Sequence, residues 1–203
     1  MRPILSTLLA GLAATTLAAC GGSSSGGGGA GGGGYADLSY EDRTARLRSE
    51  LDLGAGAPML TPERKLPGGS ARYDGVAALN LTDRDDLPDD PADLRPGDIE
   101  GYLGALTVNV NFADDTLSGR ITDFEDLNRR SRSGELRIRD GRLTGDNRQG
   151  IGTGLEAVAR GSVAGTRLVM DVSGSFLGER GKGLALYMVD RNDEGIGNGL
   201  AAR

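Results

Sequence analysis

From Ala105 to Phe112 the side chains alternate without interruption, with Leu106, Val108, Val110 and Phe112 on one face and Thr107, Asn109 and Asn111 on the other. A strand that is buried on one side and wet on the other generates this two-residue period. The period returns in Leu117, Gly119 and Ile121, in Leu136 and Ile138, and in Leu155, Ala157, Ala159 and Val163. It continues in Leu168, Met170, Val172 and Phe176, and in Leu184, Leu186 and Met188, while Tyr73, Gly75, Ala77 and Leu79 make an opening strand. Asp114-Asp115, Asp140-Gly141 and Ala164-Gly165 are tight-turn signals between neighbours. The predicted strands are Tyr73–Leu81, Ala105–Phe112, Thr116–Phe124, Gly134–Asp140, Arg142–Asp146, Leu155–Ala164, Thr166–Gly178 and Gly183–Arg191. An antiparallel meander of this size keeps two open edges unless it closes on itself. The expected fold is therefore all-β, an eight-stranded antiparallel up-and-down β-barrel over residues 70–203. Gly75, Gly119, Gly161, Gly174 and Gly178 fall at inward phases, where a barrel needs sharp strand curvature.

The amino-terminal third follows a different pattern. Arg2 gives a short positive start and Ile4 to Leu17 is apolar or small, which reads as a secretory signal over residues 1–19. It is too short for a membrane-crossing helix, which needs about 20 apolar residues. The sole cysteine, Cys20, follows Leu17-Ala18-Ala19, and the run resembles the lipobox of bacterial lipoproteins. That resemblance implies cleavage before Cys20, acylation of its sulfur, and attachment to the membrane through the acyl chains. No thiol would remain for a disulfide or a thiolate metal site.

Residues 21–34 are ten glycines, three serines and Ala30, a composition that cannot build a core, so residues 20–34 form a lipidated cysteine and flexible tether. The tether's root-mean-square reach is roughly 20 Å. Gly21 stands where the lipoproteins it resembles carry an aspartate for inner-membrane retention, so the outer membrane is expected. Residues 35–69 read as a polar extension in which Ser39 to Leu53 could make a short helix, capped by Ser39 and with Leu47 and Leu51 on one face. A partly ordered extension is the alternative.

An outer-membrane barrel would show the same alternation turned inside out, with aromatic girdles at both interfaces. The chain has five tyrosines, three phenylalanines and no tryptophan, which does not supply them.

The strand–turn–strand run from Ala105 through Asp115-Thr-Leu-Ser-Gly-Arg-Ile121 resembles the β-barrel domain of transferrin-binding protein B. Gly174-Ser-Phe-Leu-Gly178 with Gly183 resembles that family's closing motif, and Tyr73-Asp-Gly75 its opening strand. Related barrels include factor H-binding protein and other surface lipoproteins of Gram-negative bacteria. The resemblance implies an outer-membrane, lipid-anchored barrel, often exported to the cell surface, that binds an extracellular protein or an iron source. The match has departures: Leu177 replaces the family's usual tyrosine and no proline follows Gly178. Transferrin contacts in the family come mostly from a handle domain, and this chain is expected to hold one barrel only, so transferrin recognition is not carried over.

Chemistry-bearing motifs are sparse. The chain has no histidine, which removes the commonest general acid-base and the commonest transition-metal ligand. Haem ligation would fall to a tyrosine such as Tyr102 or Tyr187. Asp83, Asp85, Asp86, Asp89, Asp90, Asp93 and Asp98 crowd one loop, yet Pro88, Pro91 and Pro96 break it and no calcium-loop spacing fits, so a solvated or partner-facing acidic loop is expected. Asp190-Arg-Asn192-Asp-Glu194-Gly195 opens like an EF-hand loop, but its twelfth position is Ala201. Gly152-Thr-Gly154-Leu-Glu-Ala157 spells a dinucleotide fingerprint in a segment that alternates as a strand where a helix is required. Asn80-Leu-Thr82 is a glycosylation sequon on paper only.

The full chain carries a formal charge of −6, and loss of Arg2 with the leader leaves 22 basic and 29 acidic side chains, a net −7. That balance disfavours nucleic acid. Arg129, Arg130 and Arg132 make a basic run after the third strand. No catalytic residue, cofactor or metal is expected, and the chain is read as a non-enzyme. Two functions stay open: a displayed protein-binding module working through its loops, and a lipocalin-like carrier enclosing a small apolar ligand.

Overall fold

The computed structural model describes residues 39–51, 53, 60–82, 99–146, 152–192 and 195–203. Cys20, its tether and the run from Asp83 to Asp98 lie outside the described residues. Among the described residues nine strands follow one another: β1 (Ser70–Asn80), β2 (Gly101–Asn111), β3 (Thr116–Asp126), β4 (Ser131–Arg132), β5 (Gly134–Asp146), β6 (Thr153–Val163), β7 (Thr166–Leu177), β8 (Gly183–Asp190) and β9 (Ile196–Ala202). All but the two-residue β4 join a closed ring of eight antiparallel strands, in which β1 pairs with both β2 and β9. The fold is an all-β up-and-down barrel, as the alternation predicts.

The strand count is right but its composition is not. The predicted Gly134–Asp140 and Arg142–Asp146 are one strand, β5, because Asp140-Gly141 bends the chain without reversing it. Asp140 takes φ +54°, and the register of β5 slips there against both β3 and β6, which is a bulge. A Cβ on Gly141 would drive into the Leu117 side chain, so glycine is the residue that lets the bulge close. The eighth barrel strand is β9, which alternation does not reveal. Its inward positions are Gly197, Gly199 and Ala201, whose small size leaves room for Leu79, Met188, Leu106 and Leu186 to fill the same layer.

The interior is packed with side chains, among them Leu106, Val108, Ile121, Phe124, Leu136, Leu168, Met170 and Leu184, all buried. At one end an aromatic group forms, with Phe176 centred 6.0 Å from Tyr73 and 5.5 Å from Phe112. The Tyr73 hydroxyl donates to Gly181 O at 2.7 Å, satisfying a polar group the core would otherwise strand. Residues 60–66 run across that end: Thr61 N donates to Phe176 O, Thr153 N donates to Thr61 O, and Leu66 rests on the core.

Helix α1 (Tyr40–Glu50) forms as its sequence predicts, with Asp42 N donating to the Ser39 side chain at 3.1 Å. Leu47 and Leu51 lie on one face and pack against Val76, Leu177 and Ala202 on the outside of the barrel. The apolar interior and charged exterior are opposite to the arrangement a lipid-facing barrel needs.

Closure of the ring sets a sharp test. A Cβ on Gly75 would overlap Leu200 O and the Ala201 backbone of the closing strand. Gly75→Ala is expected to cost about 1–3 kcal/mol in urea unfolding, whereas Gly68→Ala, which meets nothing, should stay within about 0.5 kcal/mol.

Candidate functional site

Antiparallel closure sorts the connections onto two ends. The β1–β2, β3–β5, β6–β7 and β8–β9 connections all emerge at one rim. The β3–β5 connection is organised by Asp126. Its Oδ1 accepts from Asn128 N at 2.8 Å and Arg130 N at 2.9 Å, and its Oδ2 pairs with Arg132 at 2.7 Å. The amide and guanidinium donors hold its carboxyl below the usual carboxylate range. The basic run is therefore partly spent within the fold: Arg132 on Asp126, and Arg129 on Glu41 of α1 at 2.6 Å. Leu127 at the turn and Ile196 at the start of β9 stand out from this rim, 52% and 46% exposed.

Below the rim, a groove of about 400 Å³ lies between the first turn of α1 and the outer faces of β1, β2 and β3. Its floor is a polar network in which Asp74 pairs with Arg72 at 2.8 Å and accepts from the Thr107 hydroxyl at 2.9 Å. Its upper wall is shaped by a second bulge, where the register of β3 against β2 slips between Leu103 and Ala105 and Asp123 adopts φ +54°. Tyr40, Arg43, Arg120, Thr122 and Glu125 complete a lining of mixed charge and hydroxyls. Leu103, Ala105 and Leu106 lie among these groups, so the groove offers hydrogen bonds and ion pairs beside an apolar strip. Asp126 and Asp74 are invisible as partners in the sequence, because the register that brings Thr107 to Asp74 and folds Arg132 back onto Asp126 is set by strand pairing.

The residues singled out by sequence do not assemble into one site. Cys20 and the Asp83–Asp98 run lie outside the described residues. The base of the connection holding that run is tied, with Asn80 Oδ1 accepting from Thr82 N and Oγ1, and Glu100 N donating to Thr82 Oγ1 at 2.7 Å. Tyr102 is buried and donates its hydroxyl to Glu100 at 2.5 Å; burial first, then that carboxylate, push its pKa up to about 12. A phenol so held is a poor source of tyrosinate for haem. Tyr187 points outward from β8, 47% exposed. Asp190 is buried and both its oxygens are used, by Val169 N at 2.9 Å and Asn192 N at 2.8 Å, so it staples the β8–β9 connection. Thr153 to Ala157 are strand, not helix, so the glycine-rich run lacks the helix N-terminus a pyrophosphate needs. Among the described residues no group of three acidic or cysteine side chains is placed to hold a metal ion.

The barrel interior offers the carrier expectation no support. Its layers are filled by the side chains named above, and the groove beside α1 and another over β5–β8 both lie on the outer wall.

No known protein family's sequence profile matches the chain, and no curated protein matches it. Solved structures do. Transferrin-binding protein B of Haemophilus parasuis Hp5, a double mutant described as a vaccine antigen, is 22% identical over 71% of this chain and 27% of its own, with a TM-score of 0.44. An intact transferrin-binding protein B with N and C lobes is 18% identical over 70% of this chain and 28% of its own, with a TM-score of 0.43. A surface lipoprotein is 13% identical over 72% of this chain and 65% of its own, with a TM-score of 0.44. This chain thus spans little more than a quarter of the two transferrin-binding proteins it is similar to.

Tyr73, like Tyr102, is raised to about 12, in its case by burial. The folded protein therefore keeps two protons between pH 10 and pH 12 that an unfolded chain has released. Stability should be level up to about pH 10 and fall as pH approaches 12; urea midpoints of Tyr73→Phe/Tyr102→Phe should fall less steeply over that window. At the rim, Asp126→Ala should speed hydrogen exchange of the Asn128 and Arg130 amides by about tenfold or more while the β6–β7 amides are unchanged.

Proposed function

We propose that this protein is a lipid-anchored, surface-displayed binding module that captures an extracellular protein, an iron-carrying one included, through the outside of its barrel. The observation that carries the reading is the order of parts. A lipobox ending at Cys20 and a glycine–serine tether precede a closed barrel whose interior is occupied and whose groove, arginines and rim face outward. A filled interior leaves the exterior as the place where recognition can occur. The absence of histidine and of any evident nucleophile–base pair fits a binder better than an enzyme. Acylation through more than one chain would anchor it stably, since each buried CH₂ contributes about 0.8 kcal/mol, and the tether would lift the barrel clear of the headgroups. The resemblance to transferrin-binding protein B suggests the class of partner. It does not supply the partner's identity.

Three measurements test this. Radiolabelled palmitate should enter the wild-type chain and not Cys20→Ala, and the variant should leave the outer-membrane fraction. Protease added to intact cells should remove the wild-type barrel. Cells displaying it should retain a protein from host or environmental fluid that cells making Cys20→Ala do not. Palmitate-free wild-type protein, or a barrel shielded in intact cells, defeats the reading.

A further inference from the structure

The outer wall formed by β3, β5 and β6 carries a charge pattern that strand pairing normally avoids. Arg120 on β3 stands directly opposite Arg137 on β5, and Arg137 stands directly opposite Arg160 on β6. Arg139 is diagonal to both Arg120 and Arg160, and Arg167 on β7 is diagonal to Arg160. All five are exposed. Among the described residues the ion-pair partner inside this field is Glu135, held by Arg137 at 3.1 Å; Arg120, Arg139, Arg160 and Arg167 have none. The Glu135 carboxyl lies below its ordinary range because of Arg137 first, with Arg120 and Arg139 adding to it.

Like charges directly opposite on a sheet destabilise it. Here two such pairs share one row, in a chain whose net charge is negative. Next to the row the usual solution appears, with Arg142 paired to Glu156 at 2.8 Å and Arg191 to Asp171 at 2.6 Å.

We infer that the β3–β5–β6 wall is the docking face for an acidic polypeptide, which supplies the carboxylates that this row lacks. This rests on reading the barrel as a protein-binding module and moves recognition from the rim to the wall. Two features favour a polypeptide. Guanidinium groups pair strongly with carboxylates, as Arg137 with Glu135 and Arg142 with Glu156 do beside this row. The repeat also matches, because Arg137 and Arg139 are two residues apart on one strand, roughly 7 Å at about 3.4 Å per residue, the same pitch as alternate side chains of an extended acidic segment.

The test uses the full chain in neutral detergent, with poly-L-glutamate as probe and heparin and phosphatidylglycerol-containing micelles as comparisons. The wild type should bind poly-L-glutamate in a salt-sensitive manner. Arg120→Glu/Arg160→Glu should weaken that binding by about tenfold or more, while Arg46→Glu/Arg191→Glu, with the same change in net charge, should stay within about twofold. Arg120→Thr/Arg160→Thr should also lose binding and raise the thermal midpoint at low salt, which a misfolded variant could not do. Equal loss in both charge-reversed variants, no binding by the wild type, stronger binding to heparin or to the anionic micelles, or arginine-dependent self-association would each overturn the inference. If a captured extracellular protein binds both charge-reversed variants alike, the wall is wrong and the binding module stands. If Cys20 is unacylated while poly-L-glutamate binding behaves as stated, the display reading falls and the wall remains.

Discussion

The pairing of β1 with β9 is the contact on which the rest depends, because it turns a strip of hairpins into a surface without edges. Seven residues of β1, Asp74 to Asn80, register against Ile196 to Ala202, and this seam is where the two ends of the domain meet. It closes because most of its inward residues are small. Gly75 lets the backbone of β9 approach, and Gly197 and Gly199 give up their volume to leucines and a methionine from other strands. A sheet left open here would expose two rows of unpaired amides and carbonyls, the template for uncontrolled association.

Closure also assigns the two faces their work. The inside is apolar and filled by side chains. The outside is where polar chemistry can vary without cost to the core. Helix α1 and residues 60–66 use part of that freedom, covering Val76, Leu177 and one end of the barrel, so these parts of the polar extension belong structurally to the domain. What stays uncovered includes the groove beside α1, the rim around Asp126 and the arginine row of β3–β5–β6.

Much of the barrel was legible because burial on one face imposes a two-residue period on any strand with large inward side chains. β2, β6 and β7 are plain for that reason. The same rule hides β9, whose inward glycines carry no hydrophobic signal, and it splits β5, whose Asp140-Gly141 satisfies the backbone demands of a bulge as well as those of a turn. Both misreadings have one physical root, since local chemistry can announce a left-handed residue or a small one but not what the neighbouring strand does with it. The start of the helix was readable because its cap and its leucine pair lie within one short segment, although it ends at Glu50 and not at Leu53.

By itself the sequence determined the all-β class, the inward faces of most barrel strands, the capped helix, and the expectation of a lipid anchor at Cys20, since each depends on residues near one another along the chain. Only the tertiary structure decided which strand closes the ring, that the interior is full, and that Asp126 and Asp190 serve the fold. It alone placed Arg120, Arg137 and Arg160 side by side. Those facts depend on register between strands distant in sequence, and register is fixed by the joint packing of all eight, not by any one of them.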